Sequence, residues 1–460
     1  MSKFKGKNVL VVGIGRTGVS IGRYLSKSGA KVTLTDMKQR NELNEYVRDL
    51  QDCKVEFDFG KHSPHLFEQA DLIVVSPGVP LNIKPIEEAR LQGKALVTEV
   101  DIAASLLKVP LIGVTGTNGK TTTTTLLGEM FKTEGKRAFV GGNIGTPLID
   151  FISGDQNADY AIAELSSFQL DLIEKLVPAV AVFTNISEDH MDRYSGMDAY
   201  ISAKKKLLQA CDRNTYVVLN YDDPLLVRFG AETSGRVIWF TKKDPMNIGG
   251  DFAESFCGVY YDSESNKIYD KVTGQEEVYD VSMLRLFGDH NKENLMAAIC
   301  AARMMGIGPK TIQSVIQSFP GVPHRLELIR RKNGVFFIND SKATNVGSLE
   351  KSLLAFKKNP MILIAGGKDK DADFTRLAPL VEKRCHTLIL VGESKEKLNR
   401  AIGDFAETYL MGTFEEAVLL AYQKSRSGDI IMLSPGCASF DMFRNYEERG
   451  DYFKQIVSQL

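Results

Sequence analysis

The sequence has six cysteines (Cys53, Cys211, Cys257, Cys300, Cys385 and Cys437), but no CxxC pair and no histidine at metal-ligand spacing from any of them. That absence excludes a zinc ribbon and argues against a disulfide framework; it fits reduced, mostly buried thiols of a cytoplasmic protein. An excess of one charge is also missing. Lys and Arg total 57 against 58 Asp and Glu, for a formal net charge of -1. A general nucleic-acid or membrane-surface binder needs a basic excess, so neither partner is expected. No apolar run approaches the ~20 residues that span a bilayer. A strand-like run, KNVLVVG, opens at Lys7 and leaves no room for a signal peptide, so a cytoplasmic location is expected. Low-complexity segments and short-period repeats are lacking too.

What is present is an alternation. Short β-branched runs (NVLVVG, KVTLTD, LIVVS, PLIGVT, YAIAEL, VAVFTNI, YVVLN, MILIAGG, TLILVG and DIIMLSP) are separated by longer helical patterns. Continuous apolar runs suit strands buried on both faces, with the intervening helices as crossovers. The expected class is α/β with several parallel sheets. A length of 460 residues suggests about three domains. Residues 91–108 separate two strand systems that each begin with a glycine turn, and FPGVP at 319–323 marks a second break. The units expected are a Rossmann-like domain at 1–98, a P-loop-type ATPase domain at 99–321 and a second Rossmann-like domain at 322–460. The polar stretch 237–279 reads as hairpins decorating the central unit.

The run LIGVT ends in Gly116, Thr117, Asn118, Gly119, Lys120, Thr121 and Thr122, and a helical pattern follows. Strand, glycine turn and helix together build an anion site, because backbone N–H groups and the helix N-terminus both face the ligand. Lys120 is placed to reach the β- and γ-phosphates, and the Thr121 hydroxyl to ligate Mg²⁺. The standard P-loop has a glycine five residues before Gly119, where this chain has Val114; the loop is a shortened variant. A chance Gly–Lys pair in a tight turn is the plainer alternative, and the flanking strand and helix argue against it.

Two further strand ends carry polar clusters, where α/β sheets place their ligands. One holds Glu164, Ser166 and Gln169; the other runs Ser187, Glu188, Asp189, His190, Met191, Asp192. Carboxylate, hydroxyl and imidazole beside a triphosphate form a candidate Mg²⁺ site, while helix caps and a surface histidine are the bland alternative. Lys204, in DAYISAKKKLLQA, reads from spacing alone as a solvated helix residue. At the N-terminus Gly13-Ile14-Gly15-Arg16-Thr17-Gly18 follows one strand and Asp36 ends the next, the dinucleotide fingerprint. Ser76, Pro77 and Gly78 form a second turn that can close over the same ligand. On these residues alone an NAD-dependent oxidoreductase, or a nucleotide switch without ligase chemistry, stays open.

In order along the chain, TGTNGKTT, GGNIG (141–145), ELSSFQL (164–170) and NISEDHMDRY (185–194) resemble the Mur ligases of bacterial cell-wall synthesis. PHRLE (323–327), NDSKATN (339–345) and LSPGCASFDMFRNYEERGDYF (433–453) are similar to the branch of that family that adds D-glutamate. The DNPR string of the diaminopimelate- or lysine-adding branches is absent. The resemblance implies ATP-dependent ligation of D-glutamate to UDP-N-acetylmuramoyl-L-alanine through an acyl phosphate, with a Mur-type ligase for another amino acid as the alternative. It implies that Lys120, His190 and Lys204 are catalytic, and that two Mg²⁺ sites draw on Thr121, Glu164, His190 and Lys204. The YxxAK pattern selects Lys204 as a lysine carbamylated by CO₂, against the reading from spacing. For ATP it adds Asn291, Asn294, Arg325 and Asp340 to the phosphate loop. For the uridine nucleotide it nominates Ile14, Gly15, Arg16, Thr17, Asp36, Ser76, Pro77 and Gly78, with Asn143, Ser166 and Gln169 toward the muramoyl end. For D-glutamate it nominates Lys342, Thr344, Lys370, Ser439 and Tyr446. The implied partners are these small molecules, acted on by a monomer.

Overall fold

The computed structural model describes residues 3–191, 193–356, 359–369 and 372–460. Three α/β sheets organise them, as the alternating runs require. The first contains β1 (Asn8–Val12), β2 (Lys31–Asp36), β3 (Val55–Phe59), β4 (Leu72–Val75) and β5 (Leu96–Val97), parallel throughout in the order β3-β2-β1-β4-β5. Successive side chains of β1 point to opposite faces. Val9 and Val11 therefore join Ile21, Leu25 and Leu34 in one core, while Leu10 and Val12 join Phe67, Ile73 and Ile86 in another. Chain order reverses between β1 and β4, so the loops leaving these neighbours diverge and open a crevice at the strand ends.

The second sheet contains β6 (Leu111–Thr115), β7 (Ala138–Gly142), β8 (Tyr160–Glu164), β9 (Val180–Phe183), β10 (Tyr216–Asn220), β11 (Arg236–Thr241), β12 (Gly258–Asp262), β13 (Lys267–Asp270) and β14 (Glu277–Asp280). Its order is β14-β13-β12-β11-β10-β9-β6-β8-β7. The stretch expected to be hairpins is more regular than its polarity suggests. β11 and β12 extend the parallel sheet, and only β12-β13-β14 pair antiparallel. β6 lies between β8 and β9 with all five residues buried, which sets the phosphate loop at the centre of the sheet.

The third sheet contains β15 (Glu327–Lys332), β16 (Val335–Asn339), β17 (Met361–Ala365), β18 (Cys385–Leu390), β19 (Glu407–Leu410) and β20 (Ile430–Leu433), in the order β15-β16-β20-β17-β18-β19. Only β15 runs antiparallel. Alternation again feeds two cores: Ile338, Leu363 and Met432 on one face, Phe337, Ile364 and Ile431 on the other. Burying each such side chain contributes roughly 1.5–3 kcal/mol before chain entropy is counted. Contacts divide the chain into two compact units, residues 1–282 with 293–316 and residues 283–292 with 317–460. The first holds the first two sheets and the second holds the third. Among the described residues, no helix is long and apolar enough to cross a membrane.

Candidate functional site

β6 leads into Gly116 and Gly119, both at positive φ (140° and 87°), and then into the Lys120–Thr133 helix. Any side chain at either glycine collides: a Cβ at Gly116 lies 2.0 Å from the Thr184 hydroxyl, and one at Gly119 lies 1.9 Å from Asn294 Oδ1. The loop is fastened from β9, with the Asn118 amide donating to Asn185 Oδ1 at 3.0 Å and the Thr117 amide to the Asn185 carbonyl at 2.8 Å. The Thr117 hydroxyl lies 3.0 Å from the Tyr200 hydroxyl. Lys120 folds over its own loop and donates to the Gly116 and Thr117 carbonyls at 3.0 and 2.9 Å. Thr122 is buried at the start of the helix.

Glu164, at the end of β8 and buried, joins two regions. Its Oε2 accepts from the Thr121 hydroxyl at 2.7 Å, and its Oε1 accepts from the Asn143 amide at 2.9 Å. Lys204 is only 1% exposed, so the solvated reading from spacing is overturned: the Met197–Gln209 helix turns this residue inward. Its Nζ donates to the Gly116 carbonyl at 2.8 Å and lies 4.7 Å from the Tyr200 ring centre. Burial, and next the positive charge of Lys120, hold its pKa well below that of an ordinary lysine. His190 has a left-handed backbone (φ 58°), packs 4.8 Å from the Phe168 ring, and has its Nε2 3.6 Å from the Asp189 carboxylate.

The Thr121 hydroxyl and the Glu164 carboxylate are hard oxygen donors beside the phosphate loop, and they fit Mg²⁺ in kind. Among the described residues no group of three His, Cys, Asp or Glu is assembled as a metal cage. Mg²⁺ ordinarily takes one or two carboxylates plus phosphate oxygens and water, so an incomplete protein shell suits it.

The crevice at the β1/β4 switch opens into a cavity of about 860 Å³, lined by residues 13–18, Asp36 and residues 76–80. From the central sheet Gly142, Asn143, Gly145, Pro147 and Gln169 line the same cavity. The Asp36 carboxylate is held by the backbone amides of Ile14 (2.7 Å) and Lys38 (2.9 Å), and the Ser76 hydroxyl donates to the Gly13 carbonyl. Ser166 is not in the lining; it caps the short helix that carries Gln169. The lining also includes Met37, Lys38, Tyr46 and His62, which sequence reasoning missed. Met37 and Lys38 follow β2, Tyr46 is in the short Asn44–Arg48 helix and His62 follows β3, and no motif marks them. Burial lowers the His62 pKa from its ordinary value.

In the second unit, Lys342 lies 3.7 Å from the centre of the Tyr446 ring. Thr344 follows on the same loop, and Ser439 is buried on the loop after β20. Between these loops is a residue the sequence did not single out. Arg449 is fully buried and donates to the Ser341 hydroxyl and carbonyl and to the Cys437 and Ala438 carbonyls. Asp340 is buried, with one oxygen on the Leu326 amide and the other on the Ser352 and Ser434 hydroxyls; burial pushes its pKa up to about 6. Arg325 is partly exposed on the loop before β15. Asn294 stands against the phosphate loop in the first unit. Asn291, earlier on the Asp289–Met304 helix, donates to the Phe287 carbonyl. Lys370 and Asp192 lie outside the described residues.

Family models match three segments: the Mur ligase MurD-like N-terminal domain at residues 7–98, the Mur ligase middle domain at 114–302 and the Mur ligase glutamate ligase domain at 324–437. Over 471 aligned residues the chain is 44% identical to a UDP-N-acetylmuramoylalanine–D-glutamate ligase of Bdellovibrio bacteriovorus, covering 100% of this chain and 99% of the relative. It is also 44% identical to the protein of that name from Geotalea uraniireducens, covering 99% and 98%. A solved pseudomurein peptide ligase type C from Methanothermus fervidus shares the fold, with a TM-score of 0.60, 22% identity and coverage of 99% and 100%.

Proposed function

Given that the chain belongs to the Mur ligase family, we propose that it joins D-glutamate to UDP-N-acetylmuramoyl-L-alanine, converting ATP to ADP and phosphate. On this reading residues 1–98 take the uridine nucleotide, 99–321 take ATP and 322–460 take the amino acid. The reaction is one of small molecules in the cytoplasm, carried out by a monomer. The observation that carries the reading is the carboxylate of Glu164, which bonds the phosphate loop through Thr121 and the cavity lining through Asn143. A phosphate donor and a carboxylate acceptor held on either side of one residue suit phosphoryl transfer between them. The amino acid follows from the full-length similarity to ligases that use D-glutamate.

A carboxylate is a poor electrophile, so it is activated first. A carboxylate oxygen of the alanine attacks the γ-phosphorus, the bond to the β-phosphate oxygen breaks, and ADP leaves. The D-glutamate amine then attacks the acyl carbon, a tetrahedral intermediate collapses, and phosphate and a proton depart. Every reactant is anionic, so positive charge is the main catalytic tool. Lys120 swings from the Gly116 and Thr117 carbonyls to the phosphates. Lys342, Lys370, Thr344, Ser439 and Tyr446 receive the two D-glutamate carboxylates, and Asn291, Asn294, Arg325 and Asp340 serve the nucleoside.

Thr121 and Glu164 would hold one Mg²⁺, and His190 with a carbamylated Lys204 the second; when bound, the ions neutralise phosphate charge. Carbamylation needs a neutral amine: the Lys204 nitrogen bonds to the carbon of CO₂ and loses a proton. Its depressed pKa keeps that form available. The unmodified nitrogen offers the loop only a donor, to the Gly116 carbonyl, whereas the carbamate is an oxygen ligand.

The test is phosphate release from ATP, assayed over D-glutamate, L-alanine, meso-diaminopimelate and L-lysine with UDP-N-acetylmuramoyl-L-alanine present. Release that requires the uridine substrate and is fastest with D-glutamate supports the reading. Equal rates with all four refute the specificity, and tight saturable NAD(H) binding would revive an oxidoreductase.

A further inference from the structure

Arg193 joins the two nucleotide sites of the first unit. Its Nη1 donates to the Pro77 carbonyl at 2.6 Å and its Nη2 to the Val79 carbonyl at 2.7 Å. Both acceptors are on the turn that closes the uridine cavity and packs on Gly13 through Ser76. A planar guanidinium presents its donors to two carbonyls from two nitrogens in one rigid fork, where a lysine has a single nitrogen. The same guanidinium lies 4.0 Å from the centre of the Phe168 ring. Phe168 in turn packs against His190 (4.8 Å) and Tyr194 (5.8 Å). Both of those rings contact Tyr200, whose hydroxyl lies 3.0 Å from that of Thr117 in the phosphate loop. The Thr117 hydroxyl also donates to the Ser187 carbonyl and accepts from the Ser187 amide, closing the segment onto the loop.

Residues 187–191 are thus tied to the phosphate loop, and Arg193 is tied to the uridine turn. His190 in that stretch holds a left-handed backbone, a conformation that persists only when its surroundings impose it. Arg193 is three residues on, and its two carbonyl bonds are the direct link from this segment to the turn.

We propose that Arg193 is a positioning residue that couples occupancy of the uridine cavity to the phosphate loop. A ligand that orders the turn at Pro77 and Val79 fixes Arg193, and through Phe168 it fixes His190 and the loop contacts of Thr117. ATP then binds a pre-organised loop when the carboxylate to be phosphorylated is already seated. Such coupling is reciprocal: each ligand raises the affinity for the other by the same factor. The inference rests on the proposed function, which makes these two sites the uridine-nucleotide and ATP sites.

The experiment is calorimetric binding of a non-hydrolysable ATP analogue to the full chain, with and without saturating UDP-N-acetylmuramoyl-L-alanine. It is run on the wild type, Arg193→Met, Arg193→Lys and Phe168→Leu. Methionine keeps apolar packing on Phe168 but removes the donors. In the wild type, the uridine substrate should tighten the analogue at least about fivefold. Arg193→Met should bring that factor to one while the analogue's affinity alone stays within about twofold of wild type; Arg193→Lys and Phe168→Leu should give intermediate factors. A wild-type chain that binds neither nucleotide refutes the function, and the inference with it. If both bind but the factor is one in the wild type, or is kept in Arg193→Met, the function stands and the role of Arg193 is overturned. Should Arg193→Met fail to fold, Arg193→Lys and Phe168→Leu decide alone, and wild-type coupling in both overturns it.

Discussion

Thr121 donates to Glu164 across 2.7 Å, and the other oxygen of the same carboxylate takes the Asn143 amide at 2.9 Å. Both acceptors are thus occupied by neutral donors from opposite sides. Glu164→Gln keeps the shape but removes the charge and replaces one acceptor with a donor. The expected loss in kcat is about 10²-fold, the scale for removing one pre-organised charge-stabilising group. The Mg²⁺ concentration for half-maximal rate should rise as well. Steady-state kinetics over a Mg²⁺ series checks both, and an unchanged Mg²⁺ requirement would remove Glu164 from the metal site.

Lys204→Ala should abolish phosphate release, and high bicarbonate should not restore it, because no amine remains to carry CO₂. Native mass spectrometry of the wild type in bicarbonate should show one added CO₂ that the variant lacks. Full activity in Lys204→Ala would end the carbamate reading. Its burial beside Gly116 is the physical reason the reading is chemically sound.

Glu99 opens the Glu99–Ala104 helix where the first sheet's segment passes into the second. Its Oε1 accepts from the Ile149 amide at 2.7 Å, while Oε2 is buried and has no hydrogen-bond partner among the described residues. Burial foremost raises its pKa from 4.5 to about 7. The folded state therefore binds this proton more tightly than the unfolded state does. The stability it contributes is complete below about pH 4.5 and is lost as pH rises through about 7, a change of about 3 kcal/mol. Urea midpoints measured from about pH 5 to pH 8 should fall more steeply for the wild type than for Glu99→Gln. Parallel curves would contradict the assignment.

Much of this architecture was legible because it is local. Period-two alternation in strands such as NVLVV and the glycine turns after them need only a few consecutive residues, and so does the loop from Gly116 to Thr121. What the pattern did not carry is long-range. Nothing in the spacing of DAYISAKKKLLQA says that Lys204 faces inward, since that depends on a carbonyl 88 residues away. Arg193, His62 and Arg449 have roles defined by partners from other strands, so no window around them reveals those roles. Residues 237–241 open the polar stretch that reads as hairpins. They form a parallel strand because β10 supplies its ladder.

Arg449→Met should cost stability on the order of 3 kcal/mol, because the Ser341, Cys437 and Ala438 carbonyls lose a charged donor inside a buried site. Burial pulls the guanidinium pKa down only to about 10, so it stays charged at neutral pH. The loops it ties carry Lys342 and Ser439. The KM for D-glutamate should therefore rise about tenfold, while the KM for the uridine substrate stays close to wild type. Denaturant titration with KM values for both substrates tests this, and equal changes in the two KM values would refute it.

Activation of the alanine carboxylate by ATP for attack by D-glutamate is a step that oxygen labelling reads directly. UDP-N-acetylmuramoyl-L-alanine labelled with oxygen-18 in both carboxylate positions is incubated with ATP, Mg²⁺ and D-glutamate. Each phosphate released should carry one labelled oxygen, the new amide carbonyl should keep the other, and neither should form without D-glutamate. Unlabelled phosphate, or labelled phosphate formed equally with another amino acid, would contradict that step.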